Sequence, residues 1–168
     1  MVVWKYYPSY ERPNVALESV VEVFRSNYDS IRSDKHNLTS NDVLRVLRES
    51  LEKLGFKVEG GKKEFQKVKV PVLFGRNGIP EKSFDADAHN EKERIVFEVE
   101  AGRGVTNYQF LKDLFQACVM KDIEYLVIGV RKTYKGRKDF ETVASFLDSL
   151  YANQRLKLPL QGILILGY

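Results

Sequence analysis

The pattern of apolar residues points to an α/β fold in which helices flank a mixed β-sheet, with element order α-α-β-β-β-α-β-α-β. Three observations carry this. Two amphipathic helical stretches come first, a group of short segments with period-two alternation follows, and two near-continuous apolar runs, Tyr125–Val130 and Gly162–Leu166, alternate with further helical stretches. Runs of that length and composition suit strands buried on both faces, which a sheet covered by helices on each side requires.

Leu17, Val20, Val21, Phe24, Tyr28 and Ile31 repeat at helical spacing and predict a first helix from about Val15 to Ile31. After the polar break Ser33–Asn37, the group Thr39-Ser40-Asn41-Asp42 offers side chains that cap a second helix. That helix carries Val43, Leu44, Leu47, Leu51 and Leu54 on one face and stops at Gly55, a good C-terminal capping residue. Val68, Val70 and Val72 then alternate with lysine, proline and leucine and predict a strand within Phe65–Phe74, which Pro71 marks as an edge or bulged strand. The turn Gly75-Arg76-Asn77-Gly78 leads to a short strand, Ser83–Ala88, and a polar turn around Asn90–Glu93 leads to the next, Arg94–Glu100. In the latter, Phe97 and Val99 face one way and Glu98 and Glu100 the other. Helical spacing returns from Asn107 to Lys121, the buried run Tyr125–Val130 follows, Phe140, Val143, Leu147 and Leu150 mark a last helix, and Gly162–Leu166 is the final strand.

The length of 168 residues fits one domain spanning 1–168, and 43% apolar residues with mixed charges argue for a folded chain rather than disorder. No apolar run reaches the roughly 18 residues of a membrane span, and the first residues lack the charged-then-apolar pattern of a leader, so a cytoplasmic protein without a membrane partner is expected. Cys118 is the sole cysteine, cannot form an internal disulfide, and falls in a helical apolar pattern that reads as packing. With only His36 and His89 besides, a zinc site of Cys and His is excluded, and any metal must be held mainly by oxygen. The net charge of +4 permits a polyanionic partner without demanding one, so distribution matters more. Five of the eight residues Arg131–Lys138 are cationic, and Lys62, Lys63, Lys67 and Lys69 form a second basic group.

The acids are more informative. A turn centred on Glu91 and Lys92 folds the two strands back so that Asp85 lies opposite Glu98 and Asp87 opposite Val96. Asp85, Asp87, Glu98 and Glu100 would then share one face, where four like charges repel unless a divalent cation binds. A hard, oxygen-rich set of this kind suits Mg²⁺ or Mn²⁺, which would activate a water for in-line attack on a phosphodiester. Asp85 and Asp87 are both candidates for the principal ligand, and the pairing favours Asp85.

Asp85 followed thirteen residues later by Glu98-Val99-Glu100 resembles the active-site signature of the PD-(D/E)XK, or restriction-endonuclease-like, nuclease superfamily. The resemblance covers about Ser40 to Val130 and extends to the order helix, three-strand meander, helix, strand. Phe84 stands where the family usually has Pro, and Glu100 where it usually has Lys; a Glu-X-Glu at this place is similar to the BglII/BamHI-like branch. The resemblance implies a restriction-endonuclease-like mixed sheet and a DNA endonuclease of restriction, repair or mobile-element type. It implies catalytic Asp85, Glu98 and Glu100, metal ligands Asp85, Glu98 and Asp87, and Mg²⁺ or Mn²⁺ as cofactor. Arg103 and Lys112, with Arg131, Lys132 and Lys135 of the basic run, are the candidate DNA contacts. Because 168 residues leave little beyond a catalytic core, sequence recognition would come from short loops, a homodimer or a specificity subunit. Glu49 and Glu52 precede the sheet on a helix, where the family often places a further carboxylate, but read better as surface. The competing reading is a catalytically silent member of the same fold that binds nucleic acid or serves in assembly.

Overall fold

A strand buried on both faces needs an apolar layer on each side, and the helices of this protein divide between the two. The computed structural model describes residues 1–61, 63–102, 105–153 and 155–168. Among these are β1 (Val3–Tyr7), α1 (Val15–Ser26), the one-turn α2 (Tyr28–Ile31), α3 (Ser40–Lys53), β2 (Lys57–Val58), β3 (Val68–Phe74), β4 (Pro80–Ala86), β5 (Ala88–Asn90), β6 (Ile95–Glu100), α4 (Gln109–Val119), β7 (Tyr125–Val130), α5 (Asp139–Ala152) and β8 (Gly162–Gly167). The main sheet has the order β1-β8-β7-β6-β5-β2, with β6, β7 and β8 parallel and the remaining pairs antiparallel. It is therefore a mixed sheet. Ile95, Phe97, Val99, Val127, Leu164 and Leu166 turn to one face and pack under α1, α2 and α3. Val96, Leu126, Ile128, Ile163 and Ile165 turn to the other and meet α4 and α5. No helix among the described residues is long and apolar enough to cross a membrane.

Local chemistry sets the boundaries. Asn14 caps α1 by accepting the Leu17 N–H at 2.9 Å. The single helix predicted to Ile31 is split at Asn27, whose side-chain amide donates to the Val23 carbonyl at 2.8 Å and so closes α1 a turn early. Thr39 and Asp42 exchange side-chain and backbone hydrogen bonds at the start of α3, a reciprocal capping box. Two strands were absent from the sequence reading: β1, an aromatic edge strand along β8, and the two-residue β2.

The expected three-strand meander is also different. Strands β3 and β4 form a separate two-stranded hairpin, with Lys69 opposite Asp85, and β4 gives way after Ala86 to β5 in the main sheet. One length of chain, Pro80–Asn90, thus serves two sheets in turn, and Asp87 is the residue between them. Val70 and Ala86 at the base of the hairpin are buried in the α4–α5 layer.

Packing under α1 is tight where β7 passes Phe24. Gly129 is buried with no room for a side chain: a Cβ there would lie 2.8 Å from Cζ of Phe24. Gly129→Ala is expected to cost about 1–3 kcal/mol through overpacking, read as a lower denaturant midpoint with an unchanged slope.

Candidate metal centre

Strand pairing decides which acids meet. The turn between β5 and β6 contains four residues, Glu91–Arg94, and Arg94 takes the left-handed conformation at φ 58°. Asn90, buried at its entrance, donates its side-chain amide to the Leu54 carbonyl at 2.9 Å and accepts the Glu93 N–H at 3.0 Å, which fixes the turn. The turn centre is thereby displaced by one residue from the predicted position, and the pairing by two. Ala88 faces Phe97 and His89 faces Val96, so Asp87 lies alongside Glu98 in the place predicted for Asp85. Asp85 belongs instead to the β3–β4 hairpin, where its side chain is half exposed and stands 3.8 Å from Lys67 Nζ. Its assignment opposite Glu98 is corrected on this geometry.

Glu98 and Glu100 turn to the α4 face of β6, since they alternate with Phe97 and Val99. There they meet an acid that the strand pattern does not single out. Asp113 of α4 is buried among Phe110, Leu114 and Ala117, close enough to Glu100 for the two carboxyls to perturb each other. An acid at i+3 from Phe110 and i−4 from Ala117 sits on the apolar stripe of an amphipathic helix, a signal that was present in the sequence. Asp87 is held in place by the Val99 N–H, which donates to its Oδ2 at 2.7 Å. Glu59, which follows β2, donates its backbone N–H to the Asp87 carbonyl at 2.8 Å, and its carboxylate receives Lys67 Nζ at 2.6 Å. Lys67 is thus a cation beside Asp87, and neither it nor Glu59 had been singled out as a site residue.

Electrostatics express the crowding. Burial, then the neighbouring Asp87 and Asp113 charges, hold the Glu98 carboxyl well above its usual range. Burial likewise pushes Asp87 up to about 7, with Glu59 and Asp113 adding to it and the Val99 amide and Lys67 opposing it. Glu100 is pushed up to about 8, by burial and then by Asp113. Asp113 is raised by burial, against the contact with Glu100 and the Lys112 charge. Two buried carboxyl groups this close favour a proton or a cation between them.

Among the described residues, no three carboxylate, imidazole or thiol groups form a ready-made cage for an ion. Mg²⁺ does not need one, since it keeps several waters and takes one or two carboxylates with substrate oxygens. Two observations make the fit: Asp113 Oδ2 is buried with no hydrogen-bond partner, and the four carboxyls Asp87, Glu98, Glu100 and Asp113 are hard oxygen donors gathered in a poorly solvated place.

The basic residues fall into two groups. Arg131 is buried, donates to Asn37 Oδ1 at 2.9 Å and to the Leu38 carbonyl, and stacks on Tyr134. Lys132 donates to the Met1 carbonyl at 2.8 Å and the Tyr28 hydroxyl at 2.6 Å. Both are hydrogen-bonded into the fold rather than standing free on a solvated loop. Lys135 and Lys112 are exposed. Arg103 lies outside the described residues. The loop carrying the run is pinned near the acids, because Tyr134 rests on Gly102, where φ is 91° and a Cβ would come within 2.7 Å of the ring. Arg137 also bonds Thr106 Oγ1 at 2.7 Å. Glu49 and Glu52 are exposed, Glu49 pairing with Lys53 at 2.7 Å. Burial pushes the Cys118 thiol up, away from nucleophilic reactivity.

Compared with family models, with curated proteins and with solved structures, the chain matches none of them.

Proposed function

We propose that this protein is a divalent-metal-dependent nuclease that hydrolyses DNA phosphodiester bonds, built on a restriction-endonuclease-like fold of the PD-(D/E)XK kind. The observation that carries the reading is the gathering of buried Asp113, with an unpartnered Oδ2, beside Asp87, Glu98 and Glu100, an arrangement of acids that a cation stabilises and that a purely structural core would discard. The fold relationship draws support from the succession of antiparallel β5 and β6, helix α4, and β7 parallel to β6, with the acids of β6 facing the helix.

Asp87 and Glu98 are the residues that would hold Mg²⁺ or Mn²⁺, with Glu100 and Asp113 completing the anionic cradle. Such an ion supplies a water of lowered pKa and neutralises charge on the leaving oxygen. The chain's own groups do the rest. The Val99 amide fixes the Asp87 carboxylate. Lys67, oriented by Glu59, offers a positive charge beside Asp87, where a phosphate would otherwise meet only acids. Lys112 and Lys135 are left to meet the flanking backbone. Recognition of a particular sequence would fall to a homodimer or a specificity subunit.

The test is direct. Purified protein is incubated with supercoiled, linear and single-stranded DNA in Mg²⁺, in Mn²⁺ and in EDTA. Cleavage that depends on the metal is expected. Absence of cleavage across DNA and RNA with either ion would return the protein to the class of silent nucleic-acid-binding or assembly modules.

A further inference from the structure

Arg131 is a buried charge without a counter-charge in contact. It is 5% exposed, and its partners among the described residues are neutral: Asn37, the Leu38 carbonyl, the Tyr134 ring and the Tyr168 hydroxyl. The buried Asp139 lies 3.7 Å from Arg137, forms no ion pair in contact with Arg131, and leaves its Oδ1 without a hydrogen-bond partner among the described residues, and Glu100 stands beside Asp113. A buried charge left uncompensated is costly, and proteins pair it or use it. Arg131 lines a cavity of about 660 Å³ that also takes in Glu100 at the end of β6, Asn37, Asn107, Gln109 and Tyr134. The volume lies within the range of small-ligand sites. Its wall is mainly polar, with three side-chain amides able to donate and accept hydrogen bonds. It opens at the carboxyl ends of parallel strands β6 and β7, the usual place for a ligand crevice in such sheets.

We propose that this cavity binds one nucleotide unit of the substrate, the Arg131 charge facing its phosphate and the amides of Asn37, Asn107 and Gln109 facing its base and sugar. Arg137 and Lys135, both within 6 Å of the Tyr134 ring, add to the positive field on that side. The identity of the ligand as part of a cleaved strand rests on the nuclease reading; the anion-binding character of the cavity does not. Because a nucleotide must leave the stack to enter it, the site favours single-stranded, frayed or terminal substrates.

The probe is thymidine 5′-monophosphate in EDTA buffer, followed by backbone amide shifts, with thymidine and inorganic phosphate as separate arms. The monophosphate is expected to shift residues 37–40, 107–109 and 131–134, and to bind more tightly than either part. Asn107 is exposed, and Asn107→Asp places a negative charge at the mouth without touching the core; it is expected to weaken the monophosphate about tenfold and thymidine, which carries no phosphate charge, by clearly less. Arg131→Lys should retain part of the affinity that Arg131→Gln loses, with the exposed Asn107 variant deciding the matter if the Gln form fails to fold. Shifts confined to other regions, or equal affinity for the parent and Asn107→Asp, would overturn the proposal. Metal-dependent cleavage by a protein whose cavity ignores the monophosphate would sink this inference alone, whereas monophosphate binding without cleavage would sink the nuclease reading alone.

Discussion

Asp87→Asn and Glu98→Gln are each expected to reduce metal-dependent cleavage by at least about a hundredfold, while Asp85→Asn leaves it within about threefold of the parent. Both severe substitutions keep the shape of the side chain and remove one negative charge, so they test ligand electrostatics rather than packing. The contrast between neighbouring aspartates follows from the register. Asp87 accepts the Val99 amide and lies beside Glu98, whereas Asp85 faces Lys69 on a half-exposed hairpin. Cleavage rates of the three variants across a Mg²⁺ titration separate the cases, because a lost ligand also raises the metal concentration needed for half-maximal rate. Should Asp85→Asn prove as damaging as Asp87→Asn, the centre described above would be misplaced.

The metal-free protein is expected to lose stability as pH rises from about 5 to 9, and Mg²⁺ to restore it most at the upper end. Asp87 at about 7 and Glu100 at about 8 bind protons more tightly in the folded chain than the unfolded chain does near 4. Their contribution is complete below the unfolded value and disappears as pH passes the folded values, since the native state must then hold ionised acids together. Several such groups lower the melting temperature by on the order of 10 °C over this window for a domain of this size. Melting curves in EDTA at pH 5.5, 7 and 8.5 test it, and Glu100→Gln should flatten the dependence. A melting temperature that climbs between those pH values would contradict the crowding of the four acids.

The strands and helices of the parallel half were legible because their patterns are local. Tyr125–Val130 is apolar throughout because β7 is covered on both sides, and Thr39 with Asp42 announces α3 through hydrogen bonds three residues apart. Glu98 and Glu100 were legible for the same reason, as alternation alone places them on one face. What escaped was set by distant partners. The register of β5 on β6 depends on Asn90 reaching Leu54, 36 residues away, and the one-residue displacement of the turn exchanged Asp85 for Asp87. The commitment of Arg131 depends on Asn37 and Leu38, so a run of cations that looks solvated in sequence is partly interior. Strand β1 alternates poorly, because it lies at an edge and is defined by β8 at the far end of the chain.

The chain from Pro80 to Asn90 enters one sheet and leaves in another, with Asp87 at the crossing. This gives the two ends of the hairpin opposite tolerance for change in length. At its tip, Gly75–Gly78, the backbone is exposed apart from Gly75 and turns back on itself, so residues can be gained or lost there while everything below stays in phase. At its base a single inserted residue between Phe84 and Ala88 would turn Asp87 away from Glu98 and the Val99 amide, because side chains alternate. Variation in the reach of the arm is therefore free to accumulate at one end of a strand whose other end is locked to the cluster of acids.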